Sequence, residues 1–287
     1  MSTTQPTTTA TSHRLPIWRQ IRWVLVFTFV LMAIVPASII AGMTISRAAA
    51  QAQEQVLNEL DAVGELKHAS IDRWLIDSQS MLELFSTGPR ERRLMRVANM
   101  DRTTEAYIAE AIVLQELLNA TLDSQSLLSE IFLYTPEGDL ILSSDQTQVG
   151  QTVVNQPYFD GSLIGNAPEH EVIELGHGNH IDFIKSPYLD PSSGELTMVI
   201  THALVDEVTG EIEVIVAGRP NLEILNEIML ERAGLGESGE TYLVGLENNY
   251  LLTESRFEDV GSQFTPHTSE GINNALNGED GQGAYDD

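Results

Sequence analysis

Apolar residues recur along the chain in three rhythms, and each predicts a different kind of element. Over residues 23–45 the sequence WVLVFTFVLMAIVPASIIAGMTI carries no charged side chain. At about 1.5 Å per helical residue that stretch crosses a hydrocarbon layer about 30 Å thick, which predicts a transmembrane helix. Pro36 is tolerated in such a span, where it predicts a kink, and Trp18 and Trp23 suit the interfacial level. Beyond residue 48 the spacing becomes threes, fours and near-sevens: Val56, Leu60, Val63, Ile71, Trp74, Leu82 and Phe85 form one stripe on a helix continuing from the span. Such a stripe covers its own domain, forms the seam of a two-helix dimer, or does both. Gly88-Pro89 stops this helix, and a second is predicted over residues 90–122. Its first turns carry Arg90, Arg92, Arg93 and Arg96, a placement that opposes the helix dipole and calls for ion pairing with the acidic first helix or for an anion.

From residue 130 the period shortens to two. Residues 130–135 and 140–144 flank the turn Pro136-Glu137-Gly138-Asp139 and predict a hairpin. Further strands are predicted at 171–175, 180–188, 195–204 and 211–218. The last three form an antiparallel meander, because Asp-Pro-Ser-Ser-Gly and Asp-Glu-Val-Thr-Gly are short polar turns. Asn221 opens a helix expected to reach residue 233, with Gly234 as its stop. A similar pattern then restarts: strands at 240–245 and 250–253 around a turn at 247–249, a short helix near 271–276, and a glycine-rich end in which Ala284-Tyr285 reads as an interrupted strand. A hairpin without the other strands of its sheet closes no core, so this second module is expected to be incomplete. The fold class expected is α+β.

Charge fixes the orientation and excludes one class of partner. Net charge is −27, and all 42 acidic residues lie from Glu54 onward with only 11 of the 15 basic ones. Such a surface repels phosphate backbones, so no nucleic-acid partner is expected. Arg14, Arg19 and Arg22 precede the span, whereas Arg47 is followed by Glu54, Glu59 and Asp61, so the N-terminus is expected in the cytoplasm and the remainder outside. The span exceeds the 7–15 apolar residues of a secretory leader, which favours an uncleaved anchor. Cysteine is absent, so neither disulfides nor thiolate chemistry is available. The organisation expected is a disordered Thr-rich cytoplasmic segment at 1–22, a span at 23–45, long extracytoplasmic helices at 46–122, a sheet module at 123–233 and a partial second module at 234–287.

This order of elements resembles the double Cache, PAS-like sensor domain of bacterial transmembrane receptors. The pieces are FLYTPEGDLILSS from Phe132, NQPYF from Asn155, GRPNLEILNEIM from Gly218 and GLGESGETYLVGLENNYLLTESR from Gly234, and together they cover about residues 30–287. The resemblance implies two PAS-like modules on a long helix, a ligand held by the membrane-distal one, and a homodimeric receptor at the inner membrane. It further implies an output such as a histidine kinase, a cyclase or a chemoreceptor signalling region, none of which this sequence contains. The amino-acid-sensing branch of the family carries an Arg, an aromatic pair and a nearby Asp around the Pro-Tyr-Phe position. Here Gln156 falls where the Arg would, Tyr158 and Phe159 take the aromatic places, and Gly161 stands where an acid would follow. Without that guanidinium an α-carboxylate has no bidentate partner, which argues against an amino-acid ligand.

Family placement and chemistry together nominate Gln156, Tyr158, Phe159 and Asp160 as ligand-binding residues, with Asp182, Lys185 and Thr201 on the meander strands. Adjacent aromatics beside polar groups are the usual make-up of a small-molecule site, although Tyr158 and Phe159 pack a sheet equally well. His177 and His180 with His170 nearby lack the further ligand at a defined offset that a metal site needs, and a polar hairpin tip is the plainer reading. The run Gly234-Leu235-Gly236-Glu237-Ser238-Gly239 precedes a strand, where a dinucleotide fingerprint must follow one. Neither catalytic residues nor a cofactor are expected. The function expected is small-molecule sensing in transmembrane signalling; the alternative is a membrane-tethered binding or adhesion module without signalling output.

Overall fold

The structure, a computed structural model, describes residues 17–164, 180–206, 208–237, 239–246, 249–257, 266–279 and 281. It divides into two compact units, Met1–Asn58 and Glu59–Asp287, and helix α1 (Ile17–Ser86) contributes to both. In the first unit the apolar side chains between Ile21 and Ile45 are exposed, and Pro36 lies inside the helix. Among the described residues α1 alone is long and apolar enough to cross a membrane. Its polar side chains suit that setting: the hydroxyls of Thr28, Ser38 and Thr44 donate to the carbonyls of Val24, Ile34 and Ile40 at 2.8, 2.9 and 2.8 Å, so each is satisfied within the helix.

The second unit is α+β. The rest of α1, α2 (Pro89–Ala98) and α3 (Glu105–Ser124) pack on one face of a five-stranded antiparallel sheet ordered β2-β1-β5-β4-β3. Its strands are β1 (Leu128–Tyr134), β2 (Leu140–Ser143), β3 (His180–Leu189), β4 (Leu196–Val205) and β5 (Ile212–Pro220). The one helix expected over residues 90–122 is thus two. Between them Asn99 donates its side-chain amide to the Met95 carbonyl at 3.1 Å, and the Thr104 hydroxyl caps α3 by accepting from the Tyr107 amide at 3.2 Å. Asn and Thr offer such local alternatives to helical bonding, and here they override the apolar periodicity.

The two-residue strand period sorts the core into two layers. Ile131, Leu133, Val214, Val216, Ile200 and Leu204 meet Leu82, Phe85, Leu94, Leu114 and Leu118 of the helices. Phe132, Tyr134, Val199, Ala203, Ile215 and Ala217 form the opposite layer with Tyr158 and Phe159, the latter opening a short helix α4 (Phe159–Ile164) that the sequence pattern does not announce. The expected hairpin turn is present. At Gly138, φ is 87° and a Cβ would meet a Val154 methyl at 2.4 Å, so the turn demands glycine.

Helix α5 (Leu222–Leu230) ends earlier than expected. Lys67 of α1 is buried against its C-terminus and donates to the carbonyls of Ile228 and Glu231, the latter at 2.9 Å. A cation there satisfies exposed carbonyls and the negative end of the helix dipole. Beyond residue 235 the expected hairpin contracts to one bridge, Val244 to Leu251, with backbone bonds of 2.9 Å from Gly245 to Tyr250 and 2.8 Å from Leu252 to Leu243, followed by α6 (Glu270–Leu276). The strand expected at 171–175, His170, His177, the N-terminal Thr-rich segment and Ala284-Tyr285 lie outside the described residues.

Desolvation lowers the pKa of Lys67 below its usual 10.5, and the Glu231 carboxylate 3.9 Å away opposes this only in part. The unfolded chain therefore holds that proton more tightly, and this group adds stability as pH rises from the lowered value toward 10.5. Lys67→Met should cost about 1–3 kcal/mol at neutral pH, through unpaired carbonyls, and should abolish the alkaline gain in denaturant midpoint. Identical alkaline slopes in variant and parent would contradict this assignment.

Candidate ligand-binding site

On the sheet face opposite helices α1 to α3, the strand alternation runs out of apolar residues at one end. In β1 it reads Tyr134, Phe132, Glu130, and in β5 it reads Ile215, Ala217, Arg219; Glu130 and Arg219 are paired across the strands. A buried base is thereby set beside a buried acid. Arg219 Nε donates to Glu130 Oε2 at 2.8 Å, Nη1 to the Thr197 hydroxyl at 2.8 Å and Nη2 to Asp190 Oδ2 at 3.2 Å. The guanidinium also lies 5.6 Å from the centre of the Phe132 ring, within cation–π range. Glu130 in turn accepts from the Ser143 hydroxyl at 2.8 Å, and Asp190, in the β3–β4 turn, accepts from the Ser192 amide at 2.7 Å.

The side chains of Arg219, Glu130 and Asp190 are 16%, 11% and 9% exposed, so these charges interact with little help from water. Burial pushes the Asp190 carboxyl up, but the Ser192 amide, the Arg219 charge and the Ser193 amide together hold it below the usual range. For Arg219 burial opposes the charge, and Glu130, Tyr188, Tyr158 and Asp190 together more than reverse it. Burial raises the Tyr188 hydroxyl to about 12 against the pull of Arg219. It raises Tyr158 further, with Tyr134 adding to the shift. Burial raises Tyr134 as well, so all three tyrosines stay neutral across the physiological range.

Beside this cluster a cavity of about 530 Å³ opens between residues 148–158, the β3–β4 turn and the start of α5. Gln151, Gln156, Tyr158, Ser192, Thr197 and Asn221 contribute to its wall. The Gln156 amide nitrogen lies 3.4 Å from the Ser192 hydroxyl, while its oxygen is buried without a hydrogen-bond partner. That volume suits a small molecule, and the wall is polar where most such sites are apolar. Among the described residues no group of three or more metal-ligating side chains occurs.

Of the residues nominated from sequence, the structure brings Gln156 and Tyr158 together in this wall and disperses the others. Phe159 packs in the aromatic layer, 6.2 Å from the Tyr134 ring centre, and Asp160 is exposed on α4. Asp182 lies outside the wall, because it sits opposite His202 and bonds its Nδ1 at 2.5 Å; His202 alternates with Ile200 and Leu204 of the helix-facing layer. Lys185 also lies outside the cavity wall, and Thr201 is fully buried beside Val199 and Ala203. Sequence reasoning missed Arg219, Glu130, Asp190 and Thr197. Their signal is a charge at an inward strand position, Glu130 two residues before Phe132 and Arg219 two after Ala217, where the pattern calls for an apolar residue. The absence of a guanidinium inferred from Gln156 is thereby corrected: Arg219 supplies one to the same cavity, but the chain's own carboxylates and Thr197 occupy it.

No family model matches the chain, and no curated protein matches it. Among solved structures it is similar to the sensor domain of the V. cholerae histidine kinase DctB, at 16% identity and TM-score 0.46, covering 62% of this chain and 61% of that one, somewhat less than two thirds of its length. It is also similar to the sensory domain of the Campylobacter jejuni chemoreceptor Tlp3 with isoleucine bound, at 14% identity and TM-score 0.49, covering 78% and 79%. A third is the ligand-binding domain of the Pseudomonas aeruginosa PAO1 amino acid chemoreceptor PctC in complex with GABA, at 19% identity and TM-score 0.44, covering 69% and 74%. These are receptor sensor domains, the class whose order of elements the sequence resembles.

Gly161 explains one departure from the amino-acid-sensing pattern. A Cβ there would stand 2.3 to 2.7 Å from the Phe183 ring, which is itself buried in the aromatic layer. Gly161→Ala should therefore cost about 1–3 kcal/mol in chemical denaturation. A neutral or stabilising effect would show that Phe183 is free to move.

Proposed function

We propose that residues 59–287 are the extracytoplasmic part of a transmembrane signalling receptor that senses a small polar molecule. The observation that carries this reading is the cavity of about 530 Å³ at the end of the sheet, walled by residues of β1 and β2, the 148–158 segment, the β3–β4 turn and the stretch from Arg219 into α5. A site assembled from distant segments changes their relative stability when filled, which is what a sensor requires. The apolar stretch of α1 anchors the chain in the inner membrane with its N-terminus in the cytoplasm, following the arginines before it.

Two copies of the chain are proposed to pair in parallel along α1. Val56 and Leu60 are 53% and 43% exposed and available for that seam, whereas Val63 is buried and lies 2.7 Å from the Cβ position of Gly234. The stripe read from sequence thus serves two purposes, a candidate seam below residue 63 and the domain core above it.

A thermal-shift screen of carboxylic acids, amines, nucleobases and sugars tests the sensing reading. One class should raise the melting temperature, and Gln156→Ala should abolish that rise while moving the ligand-free value by no more than about one or two degrees. A rise that survives Gln156→Ala, or no rise in any class, contradicts the site. For the anchor and seam, an alkaline phosphatase fusion after Gly218 should be active, and single cysteines at Val56 and Leu60 should crosslink. An inactive fusion overturns the orientation, and absent crosslinks overturn the seam.

A further inference from the structure

The charges lining the cavity are unbalanced. Four carboxylates reach it, from Glu130, Asp190, Glu195 and Glu223, against the single cation Arg219, leaving three negative charges. Each nitrogen of Arg219 is engaged, by Glu130, Thr197 or Asp190, and its charge is already shared by two carboxylates, so an incoming carboxylate gains little from it. Glu195 and Glu223 are exposed, and among the described residues no ion pair engages either of them. Gln156 and Tyr158 lie in the wall between them, an amide beside an aromatic ring.

We infer that the ligand is a small cationic amine, held by the rim carboxylates of Glu195 and Glu223 with its body against Tyr158 and Gln156. This rests on the sensing role proposed above and names the ligand class of that same cavity. An ammonium group brings donors and a positive charge to a site rich in acceptors and negative charge, and it leaves the internal Arg219 pairs intact. An acid entering the same space meets repulsion from the rim and must compete with Glu130 and Asp190 for the guanidinium. Aromatic walls add a modest attraction for cations.

The test uses the full chain in detergent and three probes of one length that differ only in their end groups: 1,4-diaminobutane, 1,4-butanediol and butanedioate, with 4-aminobutanoate bearing one end of each kind. Ethanolamine, a phenylethylamine and spermidine extend the amine series. At least one amine at about 10 mM should raise the melting temperature, and the diol and the diacid should not. Glu195→Gln with Glu223→Gln should weaken the amine on the order of tenfold, as should raised salt. The remote pair Glu65→Gln with Glu116→Gln should leave it unchanged, which separates site binding from general attraction to an acidic protein. If the diacid or diol stabilises the chain and Gln156→Ala removes the effect, the cavity stands and the amine class falls. If an amine stabilises Gln156→Ala and the rim variant as well as the parent, the cavity itself is the wrong site. If no amine shifts the melting temperature, the amine class is overturned.

Discussion

A guanidinium buried at the end of a β-sheet must be neutralised by the protein that buries it, and this constraint organises the cavity end of the fold. Arg219 reaches three places at once: the start of β1 through Glu130, the β3–β4 turn through Asp190, and β4 through Thr197. Removing water from such a charge costs several kcal/mol before any partner is counted, so the partners are a condition of the arrangement. The same side chain closes one end of the aromatic layer by lying over Phe132. What this cluster leaves open beside it is the cavity.

The turn that brings Asp190 to Arg219 is built by the carboxylate itself. Asp190 Oδ1 accepts from the Ser192 amide at 2.7 Å and from Ser193 at 3.4 Å, and Gly194 takes a φ of 73° to finish the turn. The β4–β5 turn repeats the device, with Asp206 accepting at 2.8 Å from Val208 and from Thr209 and with Gly210 at 71°. Among the described residues only the first meets a guanidinium, so one of two similar turns becomes part of the candidate site. On the far side of the cavity Asn221 starts α5, and the opposite end of that helix is held by Lys67 of α1. A single nine-residue helix therefore spans from the cavity wall to the long helix.

Much of the fold was legible in the sequence because local chemistry and tertiary packing agree there. The short strands at 130–135 and 140–144 around the turn Pro136–Asp139 and the Asp-to-Gly turns at 190–194 and 206–210 mark the hairpin and the meander, and the structure keeps both. The split between α2 and α3 was hidden because Leu94, Val97, Leu114 and Leu118 all face one core, so the periodicity reads across the break that Asn99 and Thr104 impose. The candidate site was legible only in Gln156 and Tyr158. Arg219 and Glu130 lie 89 residues apart, and their meeting follows from strand register, which a single sequence does not specify beyond parity. Asp182 and Lys185 were nominated because β3 borders the site, but a strand's two faces are separate environments, and Asp182 sits among the helix-facing positions.

The most direct measurement is a double-mutant cycle on the full chain with Arg219→Met, Asp190→Asn and the pair together, read by denaturant unfolding at neutral pH. If Arg219 is held by the chain's own acids, each single variant strands a buried charge or a buried donor, and the coupling energy should be about 1–3 kcal/mol in favour of the native pair. A coupling below about 0.5 kcal/mol would mean that Arg219 and Asp190 contribute independently. Arg219 would then be held by Glu130 and Thr197 alone, with its Asp190-facing edge open to a ligand's carboxylate, contrary to this account.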